Sequence, residues 1–375
     1  MKIAFIGARG YPASYASAED MVRELGPRLV RDGHKFVVHG WATDESRASR
    51  VHADVYEGVN RVFHSTTPGG KVYGQLVVAL RASIGAAFSD CDIVHYQCLN
   101  SALFCWIPRL AGKRVVVNVD GQIWKDPKWP WGIRHGYFYS SAVISLLFST
   151  KVITDSYHMS RYYQRIFNVD LPHIGYGCAP EVIKTDLDSE RGPRTESGYY
   201  MVMSRVTPHN LTDIIVDGFI KSGSRSELLV AGHLPKTKFF YDLLERSRGK
   251  NVTFLGLVED QDELNQLLLN CRAYLHGHSL GGINSALVRA VGLEKPVICV
   301  DTIFNREVVE APNGLLQALL FDKKVDSVAS AIKAFEENEA EYLRKSHELG
   351  VKVRQLMSWD AIYARYRQLY NTCLG

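Results

Sequence analysis

The chain has 375 residues, a length that fits two domains better than one, and its 46% hydrophobic and 22% charged residues supply two cores and exclude a disordered chain or a small binding module. Its 44 Lys and Arg against 40 Asp and Glu leave a net charge of +4, too mild to imply nucleic-acid binding. Chain-order reading begins with an apolar strand, Ile3 to Ile6, that reaches Gly7 after four residues, too short for a signal-peptide core. The longest nearly apolar run, Ala142 to Phe148, is far below the ~18 residues of a spanning helix, so a cytoplasmic location is expected. Seven cysteines, odd and sparse, point to reduced thiols rather than a disulfide framework.

Further strands are predicted over Phe36–His39, Ile93–Tyr96, Val115–Val119 and Val152–Thr154, with amphipathic helical stretches between them. A second series follows at Tyr200–Met203, Glu227–Ala231, Val252–Leu255, Ala273–His276 and Pro296–Val300. Strands alternating with helices make parallel sheets covered on both faces. Between the series, Leu171 to Gly198 carries Pro172, Pro180, Gly192, Pro193 and a run of charges, and reads as an exposed linker. The expectation is an α/β protein of two Rossmann-like domains, 1–172 and 199–357, with a linker over 173–198 and a ligand cleft where the carboxyl ends of both sheets face each other. The segment 358–375 reads as an amphipathic helix with Trp359, Ile362, Tyr363, Tyr366 and Leu369 or Tyr370 on one side.

The loop Gly7-Ala8-Arg9-Gly10-Tyr11-Pro12 stands where a dinucleotide fingerprint would, but its glycines are three apart and a proline follows, which is the wrong spacing for NAD. Helix onset is delayed to about Ser17, and a longer loop with Arg9 is left to line the cleft. Cys91, His95, Cys98 and Cys105 are near enough in sequence to suggest a metal, yet His95 and Cys98 point to opposite faces at strand period, so no metal site is expected. Residues 121 to 165 hold six basic residues, Lys125, Lys128, Arg134, Lys151, Arg161 and Arg165, against two acidic ones. Trp124, Trp129, Trp131, Tyr137, Phe138 and Tyr139 interleave with them. Two readings stand: an anionic membrane surface, or the first domain's core and acceptor loop.

In the second series, Arg205 follows strand Tyr200–Met203, where a cation would hold a diphosphate; the alternative is a surface salt bridge. After strand Ala273–His276, Gly277-His278-Ser279-Leu280-Gly281-Gly282-Ile283-Asn284 leads into a helix. Free N–H groups, the helix dipole and adjacent glycines make this turn an anion site.

With these residues on the page, the whole chain resembles the bacterial retaining glycosyltransferases of the GT-B fold, family 4, and most closely the rhamnosyltransferase-like branch of surface-polysaccharide synthesis. The likeness is carried by the opening through Pro12, Asn118-Val119-Asp120-Gly121 with Trp124-Lys125 and Lys128-Trp129, Thr154-Asp155-Ser156, Gly175-Tyr176-Gly177, His278 to Asn284, Asn305-Arg306-Glu307-Val308 and Trp359. It implies a terminal helix crossing back to the first domain, Arg205 and Asp120 as catalytic groups, and a donor site of Asn210, His278, Ser279, Gly281, Gly282, Asn284, Arg289 and Glu307. An acceptor or cleft loop of Arg9, Gly10, Tyr15, Glu19, Trp124 and Lys125 is likewise implied. Asp120 has a second reading as a turn cap.

The chain departs from that pattern at Ala16-Ser17-Ala18, where glycines are usual, at Ile123 and Asp126, and at Asn210, the place of a diphosphate-binding lysine. Gly281 and Arg289 stand where many members carry carboxylates, and an arginine cannot accept from ribose hydroxyls; Glu307 or Glu310 is the expected partner of Arg289. The resemblance implies a metal-independent transferase without cofactor, whose donor is a nucleotide-diphosphate sugar, dTDP-linked by preference and UDP- or GDP-linked otherwise. Its acceptor would be a glycan or lipid-linked saccharide at the inner face of the membrane. Two other functions compete: a non-catalytic homologue binding acceptor or partner enzyme, and a non-hydrolysing sugar-nucleotide epimerase.

Overall fold

The computed structural model describes residues 1–12, 17–41, 53–65, 71–125, 131–178, 198–311 and 314–375. It divides into two compact units, Met1–Tyr176 with Ile362–Gly375, and Gly177–Ala361. Of the linker expected over 173–198, residues 179–197 lie outside the described residues.

The first unit contains β1 (Lys2–Ile6), α1 (Ser17–Arg31), β2 (Lys35–Trp41), β3 (Ala53–Tyr56), β4 (Val59–His64), α2 (Lys71–Ala87), β5 (Ile93–Tyr96), α3 (Trp106–Leu110), β6 (Arg114–Val119), α4 (Trp131–Phe148), β7 (Lys151–Thr154) and α5 (Tyr157–Phe167). Its sheet runs β3-β4-β2-β1-β5-β6-β7. After an exposed Lys2, β1 buries Ile3, Ala4, Phe5 and Ile6 without a break, the pattern of a strand covered on both faces. One pairing corrects the all-parallel expectation: β3 runs antiparallel to β4. The two join through Glu57 and Gly58, both at positive φ (49° and 77°), the backbone that a tight hairpin turn requires.

Within α1, Glu19 and Asp20 occupy the first turn and Arg28 and Arg31 the last, which opposes the helix dipole favourably, while Met21, Val22, Leu25 and Leu29 are buried. Ser156 caps α5 by accepting from the N–H groups of His158 and Met159. Of the interleaved aromatics, Phe138 is 1% exposed and belongs to the core, so the surface reading fails for it. The Tyr137 hydroxyl donates to the Asn100 carbonyl, and exposed Tyr139 packs on Phe167 at 5.6 Å between ring centroids. Trp129 and Lys128 lie outside the described residues.

The second unit contains β8 (Tyr199–Met203), α6 (Thr212–Ser222), β9 (Glu227–Ala231), α7 (Lys238–Arg246), β10 (Val252–Gly256), α8 (Gln261–Leu269), β11 (Ala273–His276), α9 (Ser285–Gly292), β12 (Val297–Val300), α10 (Ile303–Val309), β13 (Leu319–Phe321), α11 (Val325–Glu337) and α12 (Glu339–Met357). Its sheet, β10-β9-β8-β11-β12-β13, is parallel throughout. The core gathers Tyr200, Val202, Val230, Leu275, Ile298 and Phe335 around that sheet.

The last helix, α13 (Trp359–Leu374), buries Ile362, Tyr366, Tyr370 and Cys373, at helical spacing, in the first unit. Tyr370, not Leu369, completes the stripe, and its hydroxyl lies 2.7 Å from His95 Nδ1. The Cys98 thiol in turn lies 3.7 Å from the Ser101 hydroxyl. Among the described residues no helix is long and apolar enough to cross a membrane, and no three His, Cys, Asp or Glu side chains cluster as metal ligands.

His39 and His64 meet between β2 and β4, Nδ1 to Nε2 at 2.8 Å, with rings stacked 5.1 Å apart. Burial pushes their pKa values down to about 3 and about 4. Since both fall below the unfolded value near 6.5, the unfolded chain takes up protons that the folded chain does not, and stability is lost as pH falls through the window between them. Urea unfolding is expected to show falling stability from pH 6.5 to 4, by up to ~1.4 kcal/mol per pH unit for each histidine. The His39→Gln/His64→Gln double variant should lose part of that slope, and an unchanged slope would remove the pair as its source.

Candidate active site

Four of the residues nominated for the donor half, Arg205, Asn210, His278 and Ser279, lie in the loops after β8 and β11. After β8 the chain turns through Ser204 and Arg205 into a short 3-10 segment, Pro208–Asn210, and then α6. Gly232 makes this turn possible: it sits at φ +146°, and a Cβ there would lie 2.0 Å from the Ser204 carbonyl oxygen.

Asn210 is 6% exposed and ties the two loops together. Its Nδ2 donates to the Arg205 carbonyl at 2.8 Å, and its Oδ1 lies 3.2 Å from His278 Nδ1. Ser279 donates from both its backbone N–H (3.2 Å) and its hydroxyl (2.9 Å) to the His209 carbonyl. From α10, Asn305 Nδ2 donates to the carbonyls of His278 (3.2 Å) and Val300 (2.9 Å). Arg205 itself is exposed, and its backbone carbonyl joins the network. Burial first, then the Arg205 and His209 charges, lower the pKa of His278 to about 4.

Gly281 and Gly282 precede α9, with Gly281 at φ +103°. The cap is Asn284, whose Oδ1 accepts from the Ala286 N–H at 2.9 Å. Its side-chain oxygen is thereby committed to the helix, which leaves the Nδ2 end to donate. Arg289, on α9, donates from Nη1 to Gln261 Oε1 at 3.1 Å. Glu307 is half-buried on α10, next to Arg306, which forms a two-armed pair with Asp301 at 2.6 and 2.7 Å.

His209 and Asn305 were not nominated as site residues, although Asn305 stands in one of the motifs that carry the resemblance. His209 stood between the nominated Arg205 and Asn210, and Asn305 two residues before Glu307. Only their contacts with Ser279 and His278, 70 and 27 residues away, give them a part.

The first unit carries its own set at the ends of β1, β5 and β6. Asp120 follows β6, with Oδ1 buried and without a hydrogen-bond partner among the described residues; burial pushes its pKa up to about 7. Glu19 is 1% exposed and accepts the Arg9 N–H at 2.9 Å, while its other oxygen has no partner among the described residues. Burial raises its pKa, against the opposing pull of Arg9. Glu19, nominated for the acceptor or cleft loop, lies on α1 and holds the backbone of Arg9.

Arg9 was expected to point into a cleft; its guanidinium lies over the Trp41 ring at 5.9 Å, and its carbonyl accepts the Trp41 N–H at 2.7 Å. Gly10 packs near Phe63, where a Cβ would make ordinary contact at 3.5 Å. Trp124 packs on Tyr162, 5.1 Å between centroids, beside an exposed Lys125. Tyr15 lies outside the described residues. A cavity of about 650 Å³ elsewhere in this unit, lined by Val37, His39, His64 and Ile84 among others, holds none of the nominated residues.

This is the GT-B fold: an α/β chain of two sheet domains that matches glycosyltransferase structures along nearly its whole length. The sucrose-phosphate synthase of Thermosynechococcus elongatus superposes with a TM-score of 0.75 at 17% identity, covering 99% of this chain and 98% of that one. Anabaena HepE in complex with UDP and glucose gives 0.73 at 14% identity, covering 99% and 100%. The trehalose 6-phosphate synthase of Burkholderia multivorans gives 0.68 at 11%, covering 99% and 96%. By sequence, residues 184–354 match the family described as Glycosyl transferases group 1. That segment is a little under half of the chain and contains every nominated donor-site residue. No curated protein sequence matches.

Proposed function

We propose that the chain is a sugar-nucleotide-dependent glycosyltransferase, and one observation carries the reading: Arg205, Asn210, His278 and Ser279 converge at two strand ends of the segment that matches the group 1 glycosyl transferases. Cations and free N–H groups at strand ends suit a diphosphate, whose charge grows as the sugar–phosphate bond breaks. In this reading the acceptor hydroxyl attacks on the face the diphosphate leaves, giving retention, and its proton passes to the departing diphosphate oxygen. No metal or cofactor is required, because Arg205 and the Gly281-Gly282 turn stabilise that charge. Asp120, with a pKa of about 7, is partly protonated at neutral pH and orients a sugar hydroxyl.

The finer assignment is L-rhamnose from a dTDP donor to a surface glycan or lipid-linked saccharide. What supports dTDP is Arg289: a deoxyribose lacks the 2′-hydroxyl that a carboxylate would accept from, so losing that carboxylate costs less. The acceptor at an inner-leaflet surface rests on the basic and aromatic residues around Trp124 and Lys125.

A panel of dTDP-, UDP- and GDP-sugars, measured by calorimetry against wild type and Arg289→Glu, tests donor and function together. dTDP-sugars are expected to bind tightest to the wild type. A tenfold preference for a ribonucleotide, about 1.4 kcal/mol, defeats the deoxyribose argument. Binding gained only in Arg289→Glu would favour the non-catalytic homologue.

A further inference from the structure

We propose that His278 is a proton-linked phosphate ligand: it takes up one proton when a diphosphate binds beside Arg205, and Asn210 is the positioning residue that fixes its tautomer. The inference rests on the donor-site reading above and adds to it the origin of a second positive charge.

The argument starts from Asn210. Its amide can face its neighbours in only one way, because the Arg205 carbonyl at 2.8 Å accepts and so must meet the Nδ2 donor. Turned over, the amide would set oxygen against oxygen. Oδ1 therefore faces His278 Nδ1 at 3.2 Å, and an acceptor there requires Nδ1 to carry the hydrogen. In the neutral ring the lone pair is then on Nε2.

Nε2 looks toward the glycine turn. A Cβ built on Gly281 would come within 3.3 Å of it, so the glycine hydrogen leaves open the space beside that nitrogen. This is the turn whose N–H groups suit an anion. A bare lone pair facing a phosphate oxygen is repulsive, and a proton on Nε2 converts the contact into a charge-assisted hydrogen bond.

The surroundings of the ring resist that proton. The charged and titratable groups around the ring are Arg205 and His209, from the loop after β8, and His276, two residues earlier on β11 with its ring 6.2 Å away. Asn305, which reaches the His278 carbonyl from α10, is neutral. Burial, with Arg205 and His209 beside the ring, holds the free histidine at about 4. A bound diphosphate offsets both neighbours and reverses the balance, so the bound-state pKa lies above the free one. The proton comes from solvent and bonds to Nε2, and no covalent bond of the ligand changes. The site thereby acquires on demand the cation that a lysine at position 210 would supply permanently.

The sign follows from linkage. Between the free and bound pKa values, binding takes up a proton and affinity falls about tenfold per pH unit as pH rises; outside that window it is flat. The probes are UDP-glucose and dTDP-glucose, whose diphosphate diesters do not titrate in this range, measured by calorimetry from pH 5 to 8 in buffers of different ionisation enthalpy. Wild type is expected to show proton uptake approaching one per site. His278→Gln should bind with no uptake and a flat pH profile, whereas His209→Gln should keep the uptake. Should His278→Gln fail to fold, the imidazole Cε1–H titration of wild type, with and without nucleotide sugar, reads the same shift directly. Binding without uptake, or uptake that survives in His278→Gln, overturns the proposal and leaves the donor site standing. Failure of both nucleotide sugars to bind overturns the donor site itself, and His278 with it.

Discussion

Arg205→Ala is expected to lower turnover by about 10²-fold or more while leaving the thermal melt unchanged. The magnitude is that of removing one preorganised charge from a transition state in which a diphosphate gains negative charge. The fold survives because the side chain is exposed, and because the backbone carbonyl of residue 205, which alanine retains, is what Asn210 Nδ2 grips. Substrate binding should weaken less than turnover, since the charge at stake is larger in the transition state than in the bound donor. Steady-state kinetics beside a melting curve check this. A variant with wild-type kinetics and a normal melt would take Arg205 out of the site.

Gly277→Ala is expected to damage stability and donor binding together. A Cβ at that position would lie 2.0 Å from the Asn210 carbonyl oxygen and 2.7 Å from Ile215 Cδ1. The first of these is backbone, so no rotamer change relieves it, and the loops after β8 and β11 must separate. Overpacking of this kind costs ~1–3 kcal/mol or more, with a drop of several degrees in melting temperature. Because separation also breaks the Asn210–His278 and Ser279–His209 contacts, affinity for a nucleotide sugar should fall in step. Gly136→Ala is the control: among the described residues nothing lies within 4 Å of a Cβ there, and in mid-helix the change is neutral or stabilising. Equal behaviour of the two variants would refute the packing argument.

Much of the fold was legible because β1, β5, β6, β8, β9, β11 and β12 are short, mostly apolar runs buried over nearly their whole length. Elements that break this pattern were not. In β3 and β4, Val55 is 63% exposed, and Asp54 and Arg61 pair with each other, so the run reads as a polar loop. Only three residues make up β13. At the candidate site the difference is one of range. Arg205, His278 and the Gly281-Gly282 turn announce themselves by following predicted strands. The commitment of Asn284 to its own helix, the stacking of Arg9 on Trp41 and the buried posture of Glu19 depend on contacts that spacing does not encode. Asn210 shows the gap most sharply: by position it replaces a cation, whereas by contact it orients a histidine.

The closing helix alters the order in which the molecule can be made. Ile362, Tyr366 and Tyr370 belong to the core of the first unit, and His95 finds its hydroxyl partner 275 residues downstream. On the ribosome, the domain synthesised first therefore waits with a gap along its sheet. The domain synthesised second, continuous from Gly177 to Ala361, has its whole sequence in hand before the first can be sealed.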